Sequence, residues 1–237
     1  MAAVFEGSRN VYQRLSVLKN LRFLAGLQGI PRREANRRAQ ELLAFFGLSE
    51  KKNTVANLLS QGMKQKLALA CAFVKGTPVL LLDEPTLGLD VEASHDIRAL
   101  IREFARKERK MIVLSSHDMR VVEDTCARVI ILSRGRVVAD DSIPSLLAFF
   151  RTRAFRINFR NGLPDDALAR LSTLFPAMRW LPKERALEVE LSPHQSLYEL
   201  IDLLREGGTE PEGIHRMEPD LEEVFLRLVR GESREKL

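Results

Sequence analysis

Cysteine is nearly absent: the chain holds two, Cys71 and Cys126, in apolar helix-like or helix-end contexts without a CxxC spacing or paired histidines nearby. That excludes a disulfide framework and a thiolate metal site, and leaves buried packing as the reading of both thiols. Long apolar runs are missing as well. The longest falls far short of the ~18 residues that span a bilayer, and the N-terminus carries no charged leader followed by an apolar block. The chain itself is therefore expected to be soluble and to belong to a reducing compartment. No tract is biased enough to be disordered; 45% hydrophobic and 29% charged residues are globular proportions, enough for one core with a smaller satellite. Aromatic or groove-reading elements are lacking beside the two basic clusters, Arg32, Arg33, Arg37, Arg38 and Arg106, Lys107, Arg109, Lys110, which carry much of the +5 net charge. The clusters read as solvated helix faces, and no nucleic-acid partner is expected.

One further absence concerns chemistry. No GxxxxGK[ST] occurs: the glycines before residue 60 are Gly7, Gly26, Gly29 and Gly47, none followed by Lys-Ser or Lys-Thr. The backbone N–H groups and lysine that cradle β- and γ-phosphates in such loops are not supplied by these residues.

The apolar spacing is informative. A helix capped by Ser16 runs to about Gln28 and stops at Gly29; Pro31 opens a second, ending near Gly47, with Ala35, Ala39, Leu42, Leu43 and Phe46 inward. Ser60 precedes a helix from Gln61 to Lys75 that closes on Gly76. Four apolar residues, Val79 to Leu82, end in Asp83-Glu84 and read as a strand buried on both faces. After a turn to Asp90 comes an amphipathic helix with Ile97, Leu100, Ile101 and Phe104 inward, then a second buried strand, Met111 to Leu114. A short helix from Asp118 to about Cys126 precedes a hairpin, Val129 to Leu132 and Val137 to Ala139, turned by Arg134-Gly135. Residues 1–150 thus form an α/β layer domain with a mainly parallel sheet, its helical subdomain at about 16–76. Residues 151–231 form a small α+β domain: strands around Phe155–Phe159 and Leu187–Leu191, helices Asp165–Phe175 and Ser196–Arg205. A last helix there puts Leu221, Val224, Phe225 and Leu228 on one side. The charged tail, 232–237, is expected to fray.

Four blocks suit phosphate chemistry. Ser60-Gln61-Gly62 opens a helix, offering free backbone N–H groups and the positive end of a dipole to an anion. Asp83-Glu84 ends a buried strand, where a carboxylate pair can hold Mg²⁺ and polarise a water. Gly88-Leu89-Asp90 follows, and Ser115-Ser116-His117-Asp118 closes the next strand at the sheet edge where open α/β sheets keep their ligands. Each block has a bland reading as a helix cap, a turn or a surface histidine; the order in which they recur disfavours it.

With those residues in view, the sequence resembles the nucleotide-binding domain of ABC ATPases over about residues 1–150. Leu59-Ser60-Gln61-Gly62-Met63 is similar to the signature motif, LSGGQ, in a methionine form found among exporters with ABC-2-type permeases. The resemblance implies an incomplete P-loop NTPase cassette. Val79–Asp83 matches Walker B, with Asp83 a Mg²⁺ ligand and Glu84 the catalytic base. His117 matches the switch histidine at the γ-phosphate, and Leu87–Asp90 the loop that couples two sites. Ser60, Gln61 and Gly62, with Asp90, are implied to contact ATP in a dimer of nucleotide-binding domains. Val4-Phe5-Glu6 is similar to the Q-loop, with Glu6 near the glutamine's place as a second candidate for Mg²⁺, and Arg9, Tyr12 and Leu15 are candidate contacts to a permease. The ending Glu218–Phe225 resembles that of ABC-2-type exporters.

The resemblance therefore implies an ATP-binding subunit, peripheral on the cytoplasmic face of the plasma membrane, that drives export through a separate permease. It also implies that a P-loop lies upstream of the Q-loop. The chain is accordingly expected to begin within the cassette, and alone to bind ATP weakly and hydrolyse it negligibly. The rival readings are a soluble ABC-type ATPase acting on ribosomes or DNA and a non-catalytic cassette fragment.

Overall fold

The computed structural model describes residues 1–8, 10–150, 153–192 and 194–230. The candidate contact Arg9 and the tail 232–237 lie outside the described residues. The chain divides into two compact units, Met1–Cys126 and Ala127–Leu237.

In the first unit three parallel strands, β1 (Ala2–Val4), β2 (Val79–Asp83) and β3 (Met111–Ser115), lie in the order β1-β2-β3. Val4 stands opposite Leu82, and Asp83 opposite Ser115. Because parallel strands end together, the residues just beyond them (Glu6, Glu84 and Ser116) leave the sheet at one edge. Five helices accompany the sheet: α1 (Val17–Leu27), α2 (Arg32–Phe45), α3 (Gln61–Phe73), α4 (Val91–Glu108) and α5 (Met119–Thr125). Ser16, Ser60, Asp90 and Asp118 cap α1, α3, α4 and α5 through side-chain oxygens. Each satisfies a first-turn N–H that the helix cannot pair by itself.

The core gathers around α3, whose run Leu67–Phe73 is buried throughout. The Phe73 ring stacks on Phe104 of α4 at 3.7 Å and meets Phe46 at 5.6 Å. Ala35, Ala39, Leu42, Leu43 and Phe46 are buried as their spacing predicts, as are Ile97, Ile101 and Phe104; Leu100 is half-buried. The expectation that β2 and β3 are buried on both faces is corrected. Leu80 and Leu82 are 1% exposed and join this core, but Val79 and Leu81 are only half-buried, and Met111 and Val113 of β3 are 63% and 50% exposed. Side chains alternate across a strand, the described helices fill one face, and β3 is an edge strand.

A buried polar residue fixes the segment between β1 and α1. Asn20, fully buried, accepts the Tyr12 N–H at Oδ1 (2.8 Å). Its Nδ2 lies 3.1, 3.3 and 3.2 Å from the carbonyl oxygens of Tyr12, Leu15 and Ser16. Cys71 sits in the α3 core, where burial pushes its thiol up to about 12. It is expected not to react with an aromatic disulfide reagent at pH 8 until the chain unfolds, since the thiolate is the nucleophile; absorbance of the released thiol against denaturant checks this.

The second unit begins with an antiparallel hairpin, β4 (Arg128–Ser133) and β5 (Arg136–Ser142). Arg134 and Gly135 turn it with φ of 49° and 74°, the double positive φ that matches the twist of a two-residue hairpin. After α6 (Ile143–Phe149) the chain runs β6 (Ala154–Phe159), α7 (Asp165–Leu174), β7 (Met178–Leu181), β8 (Ala186–Glu190), α8 (Leu197–Glu206), β9 (Pro211–Arg216) and α9 (Leu221–Val229). The sheet order is β7-β8-β6-β9, all antiparallel, which is the split β-α-β-β-α-β arrangement. Ile157, Phe159, Leu187 and Val189 from the sheet meet Leu171, Leu200 and Leu204 from the helices. The expected boundary at residue 150 differs from this division: α6 and α9 pack on β5, so the hairpin belongs with the C-terminal unit.

Candidate functional site

The carboxyl ends of β2 and β3 build a polar cluster. Ser115 Oγ donates to Asp83 Oδ1 at 2.6 Å, and the Glu84 N–H donates to the Ser115 carbonyl at 3.1 Å. Glu84 stands at φ 44°, a left-handed conformation that a residue with a Cβ adopts only when its surroundings hold it there. They do. Its Oε1 accepts the His117 N–H at 3.0 Å and lies 2.8 Å from His117 Nδ1, while Ser116 Oγ donates to Oε2 at 3.2 Å. The Asp118 N–H in turn donates to Ser116 Oγ at 3.1 Å, and Asp118 caps α5, so the helix start anchors the chain of bonds.

An ionised carboxylate only accepts, which puts the proton of His117 on Nδ1. The bond to Glu84, followed by its charge, holds the His117 ring above the ordinary histidine pKa. The His117 side chain is 72% exposed and that of Glu84 19%. The histidine thus faces solvent and the glutamate is sheltered behind it.

Ser60, Gln61, Gly62 and Asp90 form a second group. Ser60 Oγ accepts the Met63 N–H at 3.3 Å, and Asp90 Oδ1 accepts the Ala93 N–H at 2.7 Å. The starts of α3 and α4 approach so closely that a Cβ on Gly62 would lie 3.2 Å from the Ala93 Cβ. Lys66 and Asp96, 2.9 Å apart, tie the same two helices together farther along. Gly62→Leu is expected to cost about 1–3 kcal/mol by overpacking this contact, read as a lower urea midpoint. Gln61 is exposed on the first turn. Both capping oxygens are engaged within the chain, so the bland reading of Ser60 and Asp90 as caps is correct as far as it goes, and it leaves the remaining first-turn N–H groups open.

Glu6 lies in the short turn Glu6–Ser8 just after β1, exposed, at the same sheet edge as Asp83. Tyr12 is exposed and Leu15 half-buried. Among the described residues no three His, Cys, Asp or Glu side chains converge on one point. Asp83 has one oxygen bonded by Ser115 and presents hard oxygen donors in an exposed position. That suits a cation such as Mg²⁺, which is typically held by one or two carboxylates together with water and substrate phosphate. The sequence pattern does not assign roles to Ser115 and Ser116, although both stand in the motif. The available signal is strand register: two parallel strands ending at one edge put Ser115 opposite Asp83.

The family model described as ABC transporter matches residues 1–87. ABC transporter ATP-binding protein NatA of Bacillus subtilis (strain 168) is 32% identical over 163 residues, covering 69% of this chain and 66% of that protein. Methionine import ATP-binding protein MetN 2 of Rhodopseudomonas palustris is 34% identical over 237 residues, 96% of this chain and 62% of that protein. A solved structure of an ATP binding subunit of an ABC transporter superposes with TM-score 0.54 and 33% identity, covering 63% of this chain and 61% of that one. The chain spans less than two thirds of the length of these relatives.

Proposed function

We propose that the chain is an ATP-binding subunit of an ABC transporter and couples ATP binding and hydrolysis to transport through a separate membrane permease. The observation that carries this reading is the network at one sheet edge joining Asp83, Glu84, Ser116 and His117. Glu84 accepts the proton of the attacking water. His117 turns Glu84 toward the edge and offers its exposed ring to the terminal phosphate. Asp83, with Glu6 at the same edge, would hold Mg²⁺, which supplies neutralisation of phosphate charge. Ser60, Gln61 and Gly62, with Asp90 beside them, present the first turns of two adjacent helices to ATP held by a second copy. A dimer of nucleotide-binding units is therefore part of the reading.

Among the described residues no helix is long and apolar enough to cross a membrane, and a peripheral place on the cytoplasmic face beside the permease fits that role. The two MetN relatives are named for methionine import, so export, expected from the residues of the C-terminal ending, gains no support from them. The 237 residues contain no GxxxxGK[ST], and by themselves are expected to hydrolyse ATP negligibly.

The test is Mg-ATP hydrolysis by this chain beside the same chain preceded by the P-loop segment of a relative. Turnover by the second alone supports the reading. Turnover by the 237 residues alone would refute this account of the phosphate site, and turnover by neither would count against the cassette assignment of Asp83 and Glu84.

A further inference from the structure

We propose that Ser115 is the positioning residue of the carboxylate pair, setting the orientation in which Asp83 meets a divalent cation. The inference deepens the reading above and rests on it. Ser115 is bonded to both acids: its hydroxyl donates to Asp83 Oδ1 at 2.6 Å, and its carbonyl accepts the Glu84 N–H at 3.1 Å. The register explains why. Asp83 and Ser115 are direct partners at the ends of parallel strands, and the two-residue alternation of strands sends paired side chains to the same face.

Asp83 is exposed, and Ser115 supplies the hydrogen bond that fixes its carboxylate plane. A hydroxyl-to-carboxylate bond of this length is charge-assisted and stronger than a neutral one. It occupies Oδ1 and leaves Oδ2 for the ion. Mg²⁺ and ions of its kind demand near-ideal octahedral geometry, so a carboxylate oriented beforehand loses less freedom on binding. Ser116 acts on the other acid, through Glu84 Oε2, which gives the two consecutive serines separate carboxylates to hold.

The experiment uses the full 237-residue chain and Mn²⁺ alone as the probe, with bound and free ion counted by electron paramagnetic resonance. Asp83→Asn is the reference. Ser115→Ala and Ser115→Val, the second retaining a good strand former at the strand end, are expected to weaken Mn²⁺ binding about three- to ten-fold, the range of one hydrogen bond. Ser115→Thr, which keeps the hydroxyl, is expected to restore it. Circular dichroism identifies any variant that has lost its fold, and the alanine and valine variants answer for each other. If Asp83→Asn weakens binding but folded Ser115→Ala and Ser115→Val bind as the unaltered chain does, the positioning role is overturned and the reading of Asp83 stands. If Asp83→Asn itself changes nothing, the reading of Asp83 falls and the proposal falls with it.

Discussion

Glu84→Gln, made in the chain preceded by a relative's P-loop segment, is expected to lower Mg-ATP turnover by about 10²–10⁴-fold, the range for removing a general base. The substitution is chosen for what it preserves. A glutamine carbonyl can still accept the His117 N–H at the Oε1 position, the side-chain volume is unchanged, and the backbone keeps the φ of 44° that the Ser115 carbonyl helps to hold. What is lost is the capacity to take a proton. KM for ATP is expected to change little, because on this reading Glu84 acts on the water and not on the nucleotide, so the loss should fall on kcat. Steady-state kinetics of the two forms check it. An equal loss in a variant that retains the acid but lacks the histidine, His117→Ala, would mean that turning Glu84 and meeting the terminal phosphate, the two parts given to His117, together matter as much as the base. Undiminished turnover by Glu84→Gln would remove Glu84 from the chemistry altogether.

Much of this arrangement is legible in the residues, and the parts that are not share a physical cause. Capping signals are local: Ser16 and Gly29, Pro31 and Gly47, and Ser60 and Gly76 bound helices whose apolar stripes are equally plain, and the structure puts α1, α2 and α3 within a few residues of those limits. Arg134-Gly135 marks its hairpin for the same reason. Strand partners are not local. β9, Pro211–Arg216, contains proline and glycine and little that favours a strand. It is nonetheless recruited by antiparallel pairing with β6, a strand far away in the sequence. β7, Met178–Leu181, is too short to show alternation by itself.

Burial of Val79–Leu82 on both faces does not hold, because a continuous apolar run looks the same whether one face or both are covered. In the site, the residues named from the motif come together in two groups as types and spacing suggest. The hydroxyls that tune one of them depend on register, which periodicity does not reveal.

Asn20→Leu carries the second large effect. The side chain is fully buried and of nearly leucine shape, so steric change is minor and the consequence is electrostatic. The Tyr12 N–H loses its acceptor at 2.8 Å, whereas the Tyr12, Leu15 and Ser16 carbonyls keep the N–H donors of Leu15, Ala56 and Asn20. A backbone group left without a partner costs about 1–3 kcal/mol, so a loss of roughly that size is expected. That is a measurable part of the ~5–15 kcal/mol by which a domain is stable. Urea unfolding should show a lower midpoint at unchanged slope, because the surface exposed on unfolding is nearly the same. The segment 12–16 joins the turn after β1, where Glu6 lies, to the cap of α1. Its conformation is held by Asn20 together with an antiparallel bridge from Ser16 to Val55 and the Ala56 N–H on the Leu15 carbonyl at 3.0 Å. Proteolysis near Tyr12 should therefore accelerate in the variant before the global transition, since local opening draws on the bonds that were removed. A stability within about 0.5 kcal/mol of the unaltered chain, the range of ordinary surface changes, would show that water replaces the asparagine without loss and that the backbone bonds to residues 54–57 suffice to hold the segment.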